Sequence, residues 1–119
     1  MEKQRARTQE EKGLRRLKLI ESAKKLFSEH GYQGTKINMI TADADLSPAA
    51  FYLYFKSKLH LYRSLSIIGA TILTEMIEKA LKSRGLSGED KVRAVAGAYF
   101  SFFRDEREFY DIISVLHLG

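Results

Sequence analysis

The dipeptide Ser47-Pro48 constrains this chain more than any other feature of its sequence. A serine at a helix start accepts a hydrogen bond from an unpaired backbone N–H, and proline suits the first helical position, where its missing N–H costs nothing. A short helix therefore opens at Pro48 and runs to about Phe55, with Phe51 and Phe55, four residues apart, as its buried pair. Just upstream, Thr35 is the expected N-cap of a second short helix whose Ile37, Ile40 and Ala44 face inward. Only Ala44-Asp45-Leu46 is left to turn the chain between them. Two short helices joined by a tight turn form a helix-turn-helix, whose second helix must stand proud of the fold to enter a major groove about 12 Å wide. On this reading Ile37, Ile40, Ala44, Leu46, Phe51 and Phe55 lock the pair together, leaving Lys36, Asn38, Ala49, Ala50, Tyr52, Tyr54 and Lys58 exposed.

The flanking segments read as helices too. Leu19, Ile20, Ala23, Leu26 and Phe27 recur at helical spacing from a start near Leu14, and Gly31 is the expected stop. Residues 1–12 are polar and aperiodic, which suggests a flexible basic arm. Ser57 caps a long helix, about Lys58 to Lys82, with Leu61, Leu65, Ile68, Ile72 and Met76 as its apolar line. Arg84-Gly85-Leu86 breaks it, and Ser87 with Asp90 resembles a capping box for a fifth helix bearing Val92, Val95, Tyr99, Phe102 and Phe103. A last apolar stretch carries Phe109, Ile112, Ile113 and Leu116. The fold class is all-α: a flexible basic arm over 1–12, a three-helix helix-turn-helix domain over 13–57, then a long linking helix and further helices over 58–119.

Charge separates the two halves. Residues 1–63 carry thirteen Lys/Arg against seven Asp/Glu, whereas residues 64–119 carry seven against eight, so the net charge of +5 resides in the first half. A basic half joined to a near-neutral one suits a module that meets a polyanion, tethered to one that does not. The same imbalance is compatible with a solvated basic tail. With no cysteine in the chain there is no disulfide framework and no thiolate metal site. The charged N-terminus lacks the apolar segment of a signal peptide, and no apolar run approaches the ~20 residues that span a bilayer. These features point to a soluble, cytoplasmic protein with no membrane partner. His30, His60 and His117 are scattered and no glycine-rich phosphate loop is present, so neither an enzyme nor a cofactor is expected.

The run Leu19-Ile20, Ala23, Leu26-Phe27, Gly31-Tyr32, Thr35, Ile37, Ile40, Ser47, Phe51-Tyr52, Tyr54-Phe55, Ser57-Lys58 and Leu61 resembles the DNA-binding domain of the tetracycline-repressor (TetR) family. The resemblance covers about residues 15 to 62, and Phe51 to Lys58 is its most specific part. It implies a transcriptional regulator, expected to be a repressor released by an unknown small-molecule effector, with double-stranded DNA as partner and a homodimer in the full-length protein. It also implies roles. Thr35, Lys36, Tyr52 and Lys58 would hold phosphates, while Asn38, Ala49, Ala50 and Tyr54, on a helix led by Pro48, would lie nearest base edges. Asparagine can pair with adenine, but an alanine methyl can only pack on a thymine methyl, so readout is expected to lean on Asn38, Tyr54 and DNA shape. Arg5, Arg7, Arg15 and Arg16 could follow the backbone or minor groove, or belong to a solvated arm.

The sequence departs from the family pattern at the turn, where Thr41-Ala42-Asp43-Ala44-Asp45 replaces Ala-x-x-Ala-Gly. Aspartate tolerates the left-handed conformation, at ~1 kcal/mol of strain. Family chains run longer, so an end at Gly119 is expected of a fragment. Tyr99, Phe102, Phe103 and Tyr110 could line an effector pocket, although aromatics at helical spacing are more often core. Two other readings stay open: a nucleoid or division-site DNA-binding factor without an effector, and a basic helical adaptor that binds an acidic partner or a membrane surface.

Overall fold

Helices account for all the regular structure in the computed structural model, which describes the backbone of residues 2–82, 85 and 87–115 and, of these, the side chains of all but residues 2–7 and 115. They are α1 (Glu2–Gly34), α2 (Ile37–Asp43), α3 (Pro48–Phe51), α4 (Lys58–Leu81), α5 (Gly88–Asp105) and α6 (Arg107–Val115). The all-α expectation therefore holds. The chain divides into two units, Met1–Arg63 and Ser64–Gly119, with the boundary inside α4.

The first unit is built on the expected face of α1. Leu19, Ile20, Ala23, Leu26 and Phe27 are buried together with Ile40 and Ala44 of α2, Phe51 of α3, and Phe55, Leu61 and Tyr62. Gly31 lies at φ +75°, the left-handed conformation a glycine adopts without penalty, and it interrupts α1 where the sequence suggests. The start of α1 differs from expectation. Helix extends back to Glu2 instead of beginning near Leu14, so residues 2–12 are helical and not an irregular arm. Glu, Lys, Arg, Gln and Ala dominate that stretch, and such residues readily propagate a helix that already exists.

Two further boundaries move. The N-cap of α2 is Lys36, at φ −108° and ψ 151°, one residue after the expected Thr35. Regular α-helix in α3 ends at Phe51, four residues before Phe55, and the chain continues through turns at Tyr52, Leu53 and Tyr54. Ser47 caps α3 as expected, its Oγ accepting from the Ala50 N–H at 3.3 Å. Ser57 likewise caps α4, accepting from the His60 N–H at 3.0 Å. The His60 ring folds back so that Nδ1 accepts from the Lys56 N–H at 2.9 Å, which gives this histidine a place in the cap.

In the second unit Leu65, Ala98, Phe102, Phe109 and Ile112 are buried. The apolar line expected on α5 is only partly inward: Val92 and Tyr99 are exposed, and the buried face centres on Ala98 and Phe102. Gly69 is a close-approach site. A Cβ there would stand 3.0 Å from Ile113 Cδ1 and 3.1 Å from Phe109 Cδ1, so α6 packs directly on the α4 backbone. Gly85 has φ +69°, consistent with the expected break after α4. Arg84, Leu86 and Leu116, and the side chains of Arg5 and Arg7, lie outside the described residues.

Candidate nucleic-acid interface

The turn between α2 and α3 depends on one residue in an unfavoured conformation. Asp45 has φ 58° and is the one non-glycine residue with positive φ among those described. The Leu46 N–H donates to the Thr41 carbonyl at 2.8 Å and the Asp45 N–H to the Ala42 carbonyl at 3.2 Å. This pair of bonds is the Schellman arrangement that ends a helix through a left-handed residue. Aspartate thus occupies the glycine position of the turn, as the sequence suggests. Its neighbour Asp43 accepts from Lys25 Nζ at 2.7 Å, fastening α2 to α1. The hydrogen bond from Lys25 first, and one from Ser22 second, hold the Asp43 carboxyl below the ordinary carboxylate range. Thr41, where the family has alanine, is buried with its hydroxyl near the Ile37 and Asn38 carbonyls, at 3.2 and 3.3 Å. The extra polar group is satisfied inside its own helix.

Thr35 does not reach the surface. Its side chain is fully buried, and its hydroxyl is shared between the Gly31 carbonyl at 2.8 Å and the Leu26 carbonyl at 3.0 Å. The reason is local: the break at Gly31 frees carbonyls at the end of α1, and the threonine hydroxyl satisfies them. The phosphate contact expected of Thr35 is therefore corrected to a structural role, closing the α1–α2 corner. Lys36 next to it is exposed, as is Asn38 on α2.

From α3 and the turn after it, Pro48, Ala49, Tyr52 and Leu53 are exposed, while Ala50 and Tyr54 are half-buried. Lys36, Asn38, Pro48, Ala49 and Tyr52 thus emerge on the surface, and Ala50 and Tyr54 only in part. Leu53 belongs to neither the buried nor the exposed set read from the sequence, since a leucine between Tyr52 and Tyr54 carries no polar signal. Its exposure of 77% places it on the surface.

Lys58, at the first turn of α4, is half-buried and held in a defined place. Its Nζ donates to the Tyr32 carbonyl at 2.8 Å and lies 4.1 Å from the centre of the Tyr32 ring. Tyr32 in turn stands against Tyr62, with ring centres 4.9 Å apart, and Phe27 completes the group at 5.0 Å from Tyr62. Desolvation chiefly, and the nearby positive charge of Lys36 secondarily, lower the pKa of Lys58. Arg16 lies over the Phe55 ring at 5.1 Å.

The aromatic set expected of an effector pocket is divided in its burial. Phe102 is buried, Tyr99 is half exposed, and Phe103 and Tyr110 meet edge to face at 4.8 Å beneath the Arg107 guanidinium. A cleft of about 550 Å³ opens elsewhere in the same unit, lined by Met76, Lys79 and Ala80 of α4 and by Ala94, Gly97, Ala98 and Ser101 of α5. Among the described residues no group of three His, Cys, Asp or Glu could hold a metal ion, and no helix is long and apolar enough to cross a membrane.

A short helix pair braced on a longer first helix, with a basic rim, defines a DNA-binding regulator of the helix-turn-helix type. Residues 19–65 match the family model described as bacterial regulatory proteins, tetR family. The chain is 33% identical over 95 residues to the uncharacterized HTH-type transcriptional regulator YerO of Bacillus subtilis, covering 77% of this chain and 32% of that protein. It is 27% identical over 99 residues to the HTH-type transcriptional activator FasR of Mycolicibacterium smegmatis, covering 83% and 45% respectively. A TetR-like transcriptional regulator from Rhodococcus sp. RHA1 shares its fold at a TM-score of 0.76, with 24% identity over 83% of this chain and 54% of that one. The chain belongs to the TetR family of transcriptional regulators, a family without enzymatic activity, and spans its N-terminal helix-turn-helix domain and part of the helical domain. It spans a third to a half of the curated relatives named here.

Proposed function

We propose that the whole protein is a sequence-specific repressor that binds duplex DNA as a homodimer in the cytoplasm and is released by a small-molecule effector. The observation that carries the DNA reading is the exposed surface of Lys36, Asn38, Pro48, Ala49 and Tyr52 on the α2–turn–α3 unit, with Lys58 fixed beside it by Tyr32. Lys36, exposed at the start of α2, and Lys58, held on Tyr32, are the cations this surface offers to phosphates. Tyr52 offers its hydroxyl to the backbone, and Asn38 is the residue with an amide to present to a base edge. Ala50 and Tyr54, half-buried, support the edge more than they read it. Two such units in a dimer would sit ~34 Å apart, or a multiple of that, on a roughly palindromic site.

Repression is the simplest consequence of occupying duplex DNA, since blocking needs no further contact, although the relative FasR carries the name of an activator. For the effector, the α4–α5 cleft is a better candidate than the aromatic set: its volume of about 550 Å³ falls within the range of small-molecule sites. A fluorescence titration of labelled duplex tests the DNA reading. Specific binding that weakens steeply with salt is expected, because bound lysines displace counterions. Binding to anionic vesicles but not to duplex would favour a membrane adaptor instead. A promoter carrying the bound site should lose transcription when the full-length protein is present; a rise would assign activation.

A further inference from the structure

The outward edge of α3 and its following turn contains no charged and no amide side chain. Its exposed residues are Pro48, Ala49, Tyr52 and Leu53. The Tyr52 N–H donates to the Ala49 carbonyl at 3.3 Å and the Leu53 N–H to the Ala50 carbonyl at 3.1 Å, so the coil continues past Phe51. Ala49, Tyr52 and Leu53, three and four residues apart, therefore share one face. Leu53 is the most exposed large apolar residue of those described, at 77%, within two residues of Phe51 and Phe55, which are buried. Lys36 and Lys56, both exposed, supply positive charge to the same unit, which suits a polyanionic partner.

In the major groove, hydrogen-bond donors and acceptors identify guanine, cytosine and adenine, and the one apolar group on offer is the 5-methyl of thymine. An edge of methyl, isobutyl and phenol side chains makes no bidentate contact with a purine. We propose that Leu53 is a specificity-determining residue, packing with Ala49 against thymine 5-methyl groups, so that the preferred half-site carries thymine opposite this face. The proposal rests on the reading of α2–turn–α3 as the DNA-contact surface. It adds a residue and a chemical readout to that surface: burial of a methyl group against a leucine side chain.

The test starts with duplexes enriched by the chain from a random pool. Each thymine of the enriched site is then replaced singly by deoxyuridine, which deletes the methyl and keeps the O4 acceptor. One or two positions should lose about fourfold in affinity each, the burial of one methyl-sized group. Leu53→Ala should shrink the difference between the thymine and deoxyuridine duplexes to less than half, leaving only what Ala49 contributes. Leu53→Asn, which replaces the apolar side chain by an amide, should shrink it likewise. A leucine with only a structural role would weaken both duplexes by the same factor when replaced and leave the discrimination intact; that result overturns the proposal. So does an enriched site in which no thymine methyl matters. Enrichment of no duplex at all overturns the DNA-contact reading beneath it, and the two failures are told apart by whether any duplex binds.

Discussion

Thr35, Asp45 and Lys58 show how single residues set this site. Thr35 is a buried lock, its hydroxyl bound to the Gly31 and Leu26 carbonyls. Thr35→Val keeps the shape and removes the hydroxyl, and should destabilise the chain by about 1 to 2 kcal/mol in urea unfolding, since it orphans buried acceptors. Asp45 sits at φ 58°, and a β-branched side chain is poorly tolerated there. Asp45→Val should cost about 1 to 2 kcal/mol, whereas Asp45→Gly should fold at least as firmly. The left-handed turn was legible through the family resemblance, because Asp45 stands where that pattern has glycine. The burial of Thr35 was not legible. Its partner Leu26 lies nine residues away, and only the path of the chain after Gly31 brings the two together. Nor could the sequence show that the Lys58 ammonium rests on Tyr32, twenty-six residues earlier.

Helix boundaries and helix contacts follow from broader patterns. The inward face of α1, the Ser47 cap and the Ser57 cap could all be read from spacing and residue type. The extension of α1 back to Glu2 could not, because a polar stretch of helix-favouring residues carries no apolar periodicity to read. Gly69 was equally silent, since a glycine in an apolar line looks like a weak helix position until α6 is seen against it. Gly69→Val should overpack that contact and destabilise the second unit by about 1 to 3 kcal/mol, measured by thermal unfolding. Between α1 and α2, the Lys25–Asp43 pair gives stability an acid limit. Asp43 ionises more readily in the folded chain than in the unfolded one, so its contribution is complete above the ordinary carboxylate value of 3.8 and is lost as pH falls through the lower folded value. The difference in urea midpoint between the chain and Asp43→Asn should persist near neutrality and close in strong acid.

For the molecule as a whole, the division of charge follows the division into two units. The basic first half holds the helix-turn-helix, and the near-neutral second half holds the α4–α5 cleft. Aromatic residues at helical spacing mark apolar surface without saying which part is core, and here Phe102 took the core while Tyr99 remained outside. Binding of duplex DNA should weaken linearly in log affinity against log salt, and Lys36→Ala should reduce that slope by about 1 while weakening all sequences alike. The most direct test of the interface is residue-resolved NMR of the chain titrated with duplex DNA. The expected result is a set of shifted signals at Lys36, Asn38, Ala49, Tyr52 and Leu53, with α5 and α6 unchanged. Shifts confined to Gly88–Val115, or none at all with saturating duplex, would contradict it.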